Sequence, residues 1–127
     1  MKEPTLTRQS RQSLELLQFV KQLRDAGNVV FQEYHLKVPG KRNPFRFDIA
    51  MPSCIISPRM HSKYIQSVAI EIEGIGHGHM GIAAFRSNIS KYLEAFAQGW
   101  NVLRVTWREI GNGEAMGVLE RAGIRVR

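Results

Sequence analysis

The alternation of apolar and polar positions is sharpest in Val68 to Gly74, which reads VAIEIEG. Val68, Ile70 and Ile72 fall on one side of an extended chain, and Ala69, Glu71 and Glu73 on the other. That is the period of a β-strand with one buried face. Phe45 to Met51 (FRFDIAM) has the same period, which predicts Phe45, Phe47 and Ile49 on one face and Arg46, Asp48 and Ala50 on the other. A less regular run, Val29 to Val38, is a further strand candidate closed by the turn signal Pro39-Gly40. Asn101 to Trp107 is a fourth, with Leu103, Val105 and Trp107 together, and Ile55 and Ile56 extend a strand edge.

Elsewhere the period is helical. Leu16, Phe19, Val20 and Leu23 share one face, predicting a helix capped at Ser10 or Ser13 and running to about Ala26, where Gly27 stops it. Ile89, Tyr92, Leu93, Phe96 and Ala97 form a stripe on a helix over Phe85 to Gln98, with Lys91 on the opposite, polar face. The spacing predicts that the stripe meets the core. Asn112 is placed to cap a last helix over Glu114 to Arg121, and Ile124 to Arg127 to add a short strand. The order is helix, three strands, helix, strand, helix. Three successive strands make a meander, and the helix before the fourth allows a crossover. The expected fold is α/β (α+β): a mixed four-stranded sheet flanked by helices, order αβββαβ plus a C-terminal helix. Its 127 residues fit one domain, with the polar residues 1–12 either a loose arm or the beginning of the first helix.

Charge narrows the partners. The chain carries +7, and Lys37, Lys41, Arg42 and Arg46 fall together with no acid between Glu33 and Asp48. A basic cluster of this kind suits a polyanion. No apolar run approaches the ~20 residues of a membrane span, so no membrane partner is expected. There is no signal-like N-terminus, and the single Cys54 cannot form an intrachain disulfide. A cytoplasmic location is the expectation.

The acids carry the chemistry. Glu71 and Glu73 share a strand face roughly 7 Å apart, and such like charges are eased by a divalent cation. If neighbouring strands share their apolar face, Asp48 joins them. Two or three carboxylates suffice for Mg²⁺, which keeps several waters, and such an ion activates water against a phosphate. His77 and His79, with His61 upstream, also allow zinc, but Cys54 is the only thiol and a full ligand set is lacking.

Asp48, then Glu71-Ile72-Glu73 on the next strand, then a helix and another strand, resembles the PD-(D/E)XK nuclease superfamily. The resemblance extends to small phage- and prophage-type endonuclease-like proteins related to very-short-patch repair endonucleases. It rests on Arg46-Phe47-Asp48, Ala69 to Gly74, His79, Phe85, Lys91-Tyr92 and Gly99 to Arg104, and it covers about Glu33 to Ile110. The chain departs from that pattern at Gly78, Asn88 and Leu93, and carries Glu73 where a lysine is usual.

The resemblance implies a restriction-endonuclease-like core and a metal-dependent endodeoxyribonuclease, in a bacterial or phage-infected host cell. Asp48 and Glu71 would bind Mg²⁺, with Mn²⁺ as a substitute. Glu73 would hold a second ion or orient water, and Glu33 would complete the site through a water. His79 would act as acid, base or phosphate contact, and Lys91 would fill the place of the missing strand lysine. Lys37, Lys41, Arg42 and Arg46 would hold the DNA backbone, and a homodimer is a reasonable arrangement for cutting two strands. The rival reading is a DNA- or junction-binding module on the same fold with weakened catalysis.

Overall fold

A computed structural model describes residues 7–56, 67–74 and 82–127. Its elements are α1 (Arg8–Asp25), β1 (Phe31–Leu36), β2 (Phe45–Met51), β3 (Val68–Glu73), α2 (Ile82–Ala97), β4 (Asn101–Thr106), α3 (Trp107–Gly111) and α4 (Glu114–Arg121). The sheet order is β1-β2-β3-β4. The first three strands form an antiparallel meander, and β4 runs parallel to β3 after the α2 crossover. The expected mixed sheet flanked by helices is therefore present. Among the described residues, no helix is long and apolar enough to cross a membrane.

Several boundaries shift for local reasons. Thr7, not Ser10 or Ser13, caps α1: its hydroxyl accepts the Ser10 N–H at 3.0 Å. Residues 8–12 are thus helical rather than part of a loose arm. Trp107 opens α3 instead of ending β4, because the Glu109 carboxylate accepts from both the N–H and the hydroxyl of Thr106. The expected C-terminal strand is reduced to one bridge between Ile56 and Ile124.

The sheet separates two cores. The larger packs Phe19, Val20 and Leu23 of α1, Ile110 of α3 and Leu119 of α4 against Ile49, Met51, Val68, Ile70 and Val105. The smaller joins Ala95 of α2 to Leu36, Phe47 and Ala69, with Tyr92, Trp100 and Val102 packed against it. Among the described residues, helices therefore lie on both sheet faces, with α2 alone on one of them. Buried Asn28 ties the larger side together. Its amide donates to the carbonyls of Leu23 (3.1 Å) and Arg125 (2.8 Å) and accepts the Ile55 N–H at 2.8 Å.

Two expectations about faces are overturned. Phe47 packs in the smaller core and Ile49 in the larger, so the alternation of β2 breaks at Asp48. β1 breaks at the same level. Glu33 lies between the Gln32–Ile49 and Tyr34–Phe47 pairs and has a φ of 54°, left-handed backbone that is uncommon without glycine. The second correction concerns α2. The stripe expected to meet the core is largely outside: Ile89, Leu93 and Phe96 are exposed, together with Ile82 and Phe85. Tyr92, Ala95 and Lys91 turn inward instead.

Candidate functional site

The site lies where β2 and β3 part. Their paired register runs Met51–Val68, Ala50–Ala69, Ile49–Ile70 and goes no further. One step on, Asp48 stands level with Glu71. The Ile72 N–H donates to Asp48 Oδ2 at 2.7 Å, so a side-chain carboxylate takes a backbone donor just beyond the paired stretch. That bond anchors Asp48 to β3. On the other side of β3, the parallel register sets Glu71 beside Arg104 and Glu73 beside Thr106. Glu33, Asp48, Glu71 and Arg104 therefore form one row of ionisable residues across all four strands.

Glu71 is the centre of that row. Lys91 of α2 donates to its Oε1 at 2.5 Å, and the Tyr92 hydroxyl donates to Oε2 at 3.3 Å. The two side chains of the ion pair are only 12% and 16% exposed, which distinguishes it from surface pairs of small consequence. The Lys91 ammonium also lies 4.7 Å from the centre of the Phe47 ring. Consecutive residues of α2 thus grip both oxygens of one carboxylate. Burial, and next the negative charge of Glu71, push the Tyr92 phenol up to about 12.

Glu73 pairs with Arg104, Nε to Oε1 2.8 Å, in a more exposed setting. That hydrogen bond is the main reason the Arg104 guanidinium is held still more firmly protonated. Arg104 also lies 5.0 Å from the centre of the Tyr92 ring, which links the Glu71 and Glu73 pairs. At the far end of the row, Glu33 and Arg46 form an exposed bridge at 2.8 Å. Lys37, Lys41, Arg42 and Arg46 are all exposed on the β1–β2 hairpin, with the Lys41 ammonium 3.3 Å over the centre of the Phe45 ring.

The structure therefore brings Glu71 and Lys91 together and sets Asp48 on the adjoining strand. Glu73 is directed to Arg104, and Glu33 to Arg46. His61, His77 and His79 lie outside the described residues. Among the described residues, no group of three or more His, Cys, Asp or Glu side chains is gathered to hold a metal ion. Tyr92 and Arg104 were missed as members of the site. Tyr92 falls within the apolar stripe by spacing, but Arg104 was readable, since it alternates with Leu103 and Val105 on a strand beside the glutamates. No family model, no curated protein and no solved structure matches the chain.

Proposed function

We propose that the chain is a Mg²⁺-dependent endodeoxyribonuclease with a restriction-endonuclease-like core. The observation that carries the reading is the pairing of Lys91 with Glu71 next to Asp48. The strand position where a lysine would be expected holds Glu73, and a lysine from the following helix reaches the same carboxylate region instead. The donor chemistry fits the ion. Mg²⁺ commonly uses one or two carboxylates together with waters and substrate phosphate, and Asp48 and Glu71 supply two hard oxygen donors on adjoining strands. Mn²⁺ would substitute.

The ion, when bound, lowers the pKa of water and neutralises phosphate charge. The chain does the rest. Asp48 is fixed by the Ile72 N–H, so its carboxylate keeps one orientation. Lys91 supplies a positive charge for the negative charge that develops on phosphate. Arg104 restrains Glu73. The exposed hairpin bearing Lys37, Lys41, Arg42 and Arg46 would grip the backbone without reading sequence.

The rival reading, a DNA- or junction-binding module with weakened catalysis, is favoured by one observation: both Glu71 oxygens already have donors in Lys91 and Tyr92. A cleavage panel of duplex, branched and single-stranded DNA and RNA, with Mg²⁺ or Mn²⁺, decides between them. The nuclease reading expects metal-dependent cleavage that Asp48→Ala and Glu71→Ala abolish while DNA binding persists. Full activity in Asp48→Ala would sink it. DNA binding without cleavage, and without calorimetric Mg²⁺ or Mn²⁺ uptake, would favour the binding module.

A further inference from the structure

The outer face of α2 leaves five large apolar side chains exposed: Ile82, Phe85, Ile89, Leu93 and Phe96, from 43% at Ile89 to 83% at Phe96. At ~100° per residue they occupy a single stripe roughly 80° wide. Their spacing is palindromic about Ile89, with steps of three, four, four and three residues. Turned end for end about Ile89, the stripe maps onto itself. Ile82 then exchanges with Phe96, and Phe85 with Leu93.

We propose that this face is the interface of a homodimer in which two α2 helices pack antiparallel across a two-fold axis at Ile89. A two-fold interface requires a self-complementary patch, and this stripe has that symmetry in its own spacing. Its size also fits. Aromatic side chains hide about 150–250 Å² each when fully buried, so at these exposures the five residues leave on the order of 600 Å² open. That lies at the top of the range for the largest patch on an ordinary monomer and is most of the roughly 800 Å² each partner gives a standard interface.

The margin of the stripe is open to close approach, because Ser90 and Ala97 beside it are small. Lys91 points the other way, toward Glu71, so the dimer leaves the carboxylate row uncovered. The inference is independent of the nuclease reading, because it concerns the helix face that the carboxylates do not use.

Sedimentation equilibrium of the full chain tests it, with far-ultraviolet circular dichroism as the check on folding. A dimer is expected. Leu93→Glu should weaken self-association by ~30-fold or more, the size of a hot-spot loss. In a Cys54→Ser background, Ile89→Cys should form a covalent dimer on oxidation. Phe96→Cys should not, because its two copies lie ~21 Å apart along the axis, beyond disulfide reach. A chain that stays monomeric at ~100 µM, a concentration well above the Kd of interfaces of this size, overturns the proposal. So does a dimer indifferent to Leu93→Glu, or cross-linking through Phe96→Cys but not Ile89→Cys.

Discussion

Replacing Lys91 by Met removes the ammonium from Glu71 and keeps an unbranched side chain of similar length. In the folded protein the pair is close, 2.5 Å, and largely shielded, with side chains 12% and 16% exposed. Breaking one partner of a fully buried pair costs about 3–5 kcal/mol, because a lone charge is left in a poor dielectric. An exposed pair contributes at most about 1 kcal/mol. Glu71 would keep the Tyr92 hydroxyl and a little water, which places Lys91→Met at about 2–3 kcal/mol of lost stability. With an unfolding entropy of ~2.1 cal/mol/K per residue, that lowers the melting temperature by about 8–11 °C. Urea unfolding and thermal melts measure both quantities. The double replacement Lys91→Met with Glu71→Gln removes the stranded charge, and should return to within about 1 kcal/mol of the parent. A single variant within about 0.5 kcal/mol of the parent, or a double variant as unstable as the two single losses added together, would refute the account of a shielded pair.

Asp48→Ala strips the Ile72 N–H of its carboxylate acceptor and should cost about 1.5–3 kcal/mol, with faster hydrogen exchange at the Ile72 amide; Asp48→Asn, which keeps an acceptor oxygen, should cost clearly less. Equal losses in the two variants would show that the bond at 2.7 Å is not what matters. Tyr92, pushed up to about 12 by burial and then by Glu71, should titrate late in an ultraviolet tyrosinate titration, and Glu71→Gln should move it down. The folded protein holds that proton more tightly than the unfolded chain, so the stability linked to Tyr92 is full below about pH 10 and is lost as pH rises from there through the folded value. A titration in which every tyrosine ionises near pH 10 contradicts it.

The meander and crossover were legible because the second and third strands have a strong period and the helices before and after the meander a clear apolar stripe. FRFDIAM and VAIEIEG coincide closely with β2 and β3. The break at Asp48 was not legible. Alternation within FRFDIAM is unbroken on paper, and the reversal depends on Glu33 adopting left-handed backbone on the neighbouring strand. The start of α3 was readable and missed: Thr106 followed three residues later by Glu109 is a capping-box spacing, and it ends the strand one residue before Trp107. In the candidate site, sequence brought Asp48, Glu71 and Lys91 forward together. It could not show that Glu73 turns to Arg104, because partner choice depends on the β3–β4 register.

The inverted face of α2 has a cause in the strand beneath it. Periodicity tells which residues share a side of a helix but not which side meets the sheet. The sheet surface under α2 includes Glu71 as well as Ala69 and Phe47. Had α2 laid its apolar stripe on that surface, Glu71 would sit under Leu93 and Ile89 without the Lys91 ammonium, and a carboxylate left without its counter-charge there costs several kcal/mol. Lys91 stands about 200° around the helix from Ile89, so one rotation cannot satisfy Glu71 and bury the stripe as well. Glu71 decides the phase. Ala95, fully buried, lets the helix come close on that side while Tyr92 and Lys91 reach past it. The apolar residues are then left outward, where a sequence of pure core-formers would never have put them. The buried Lys91–Glu71 pair and the exposed stripe are thus two results of one choice, the charge on β3 setting which face of α2 meets the sheet.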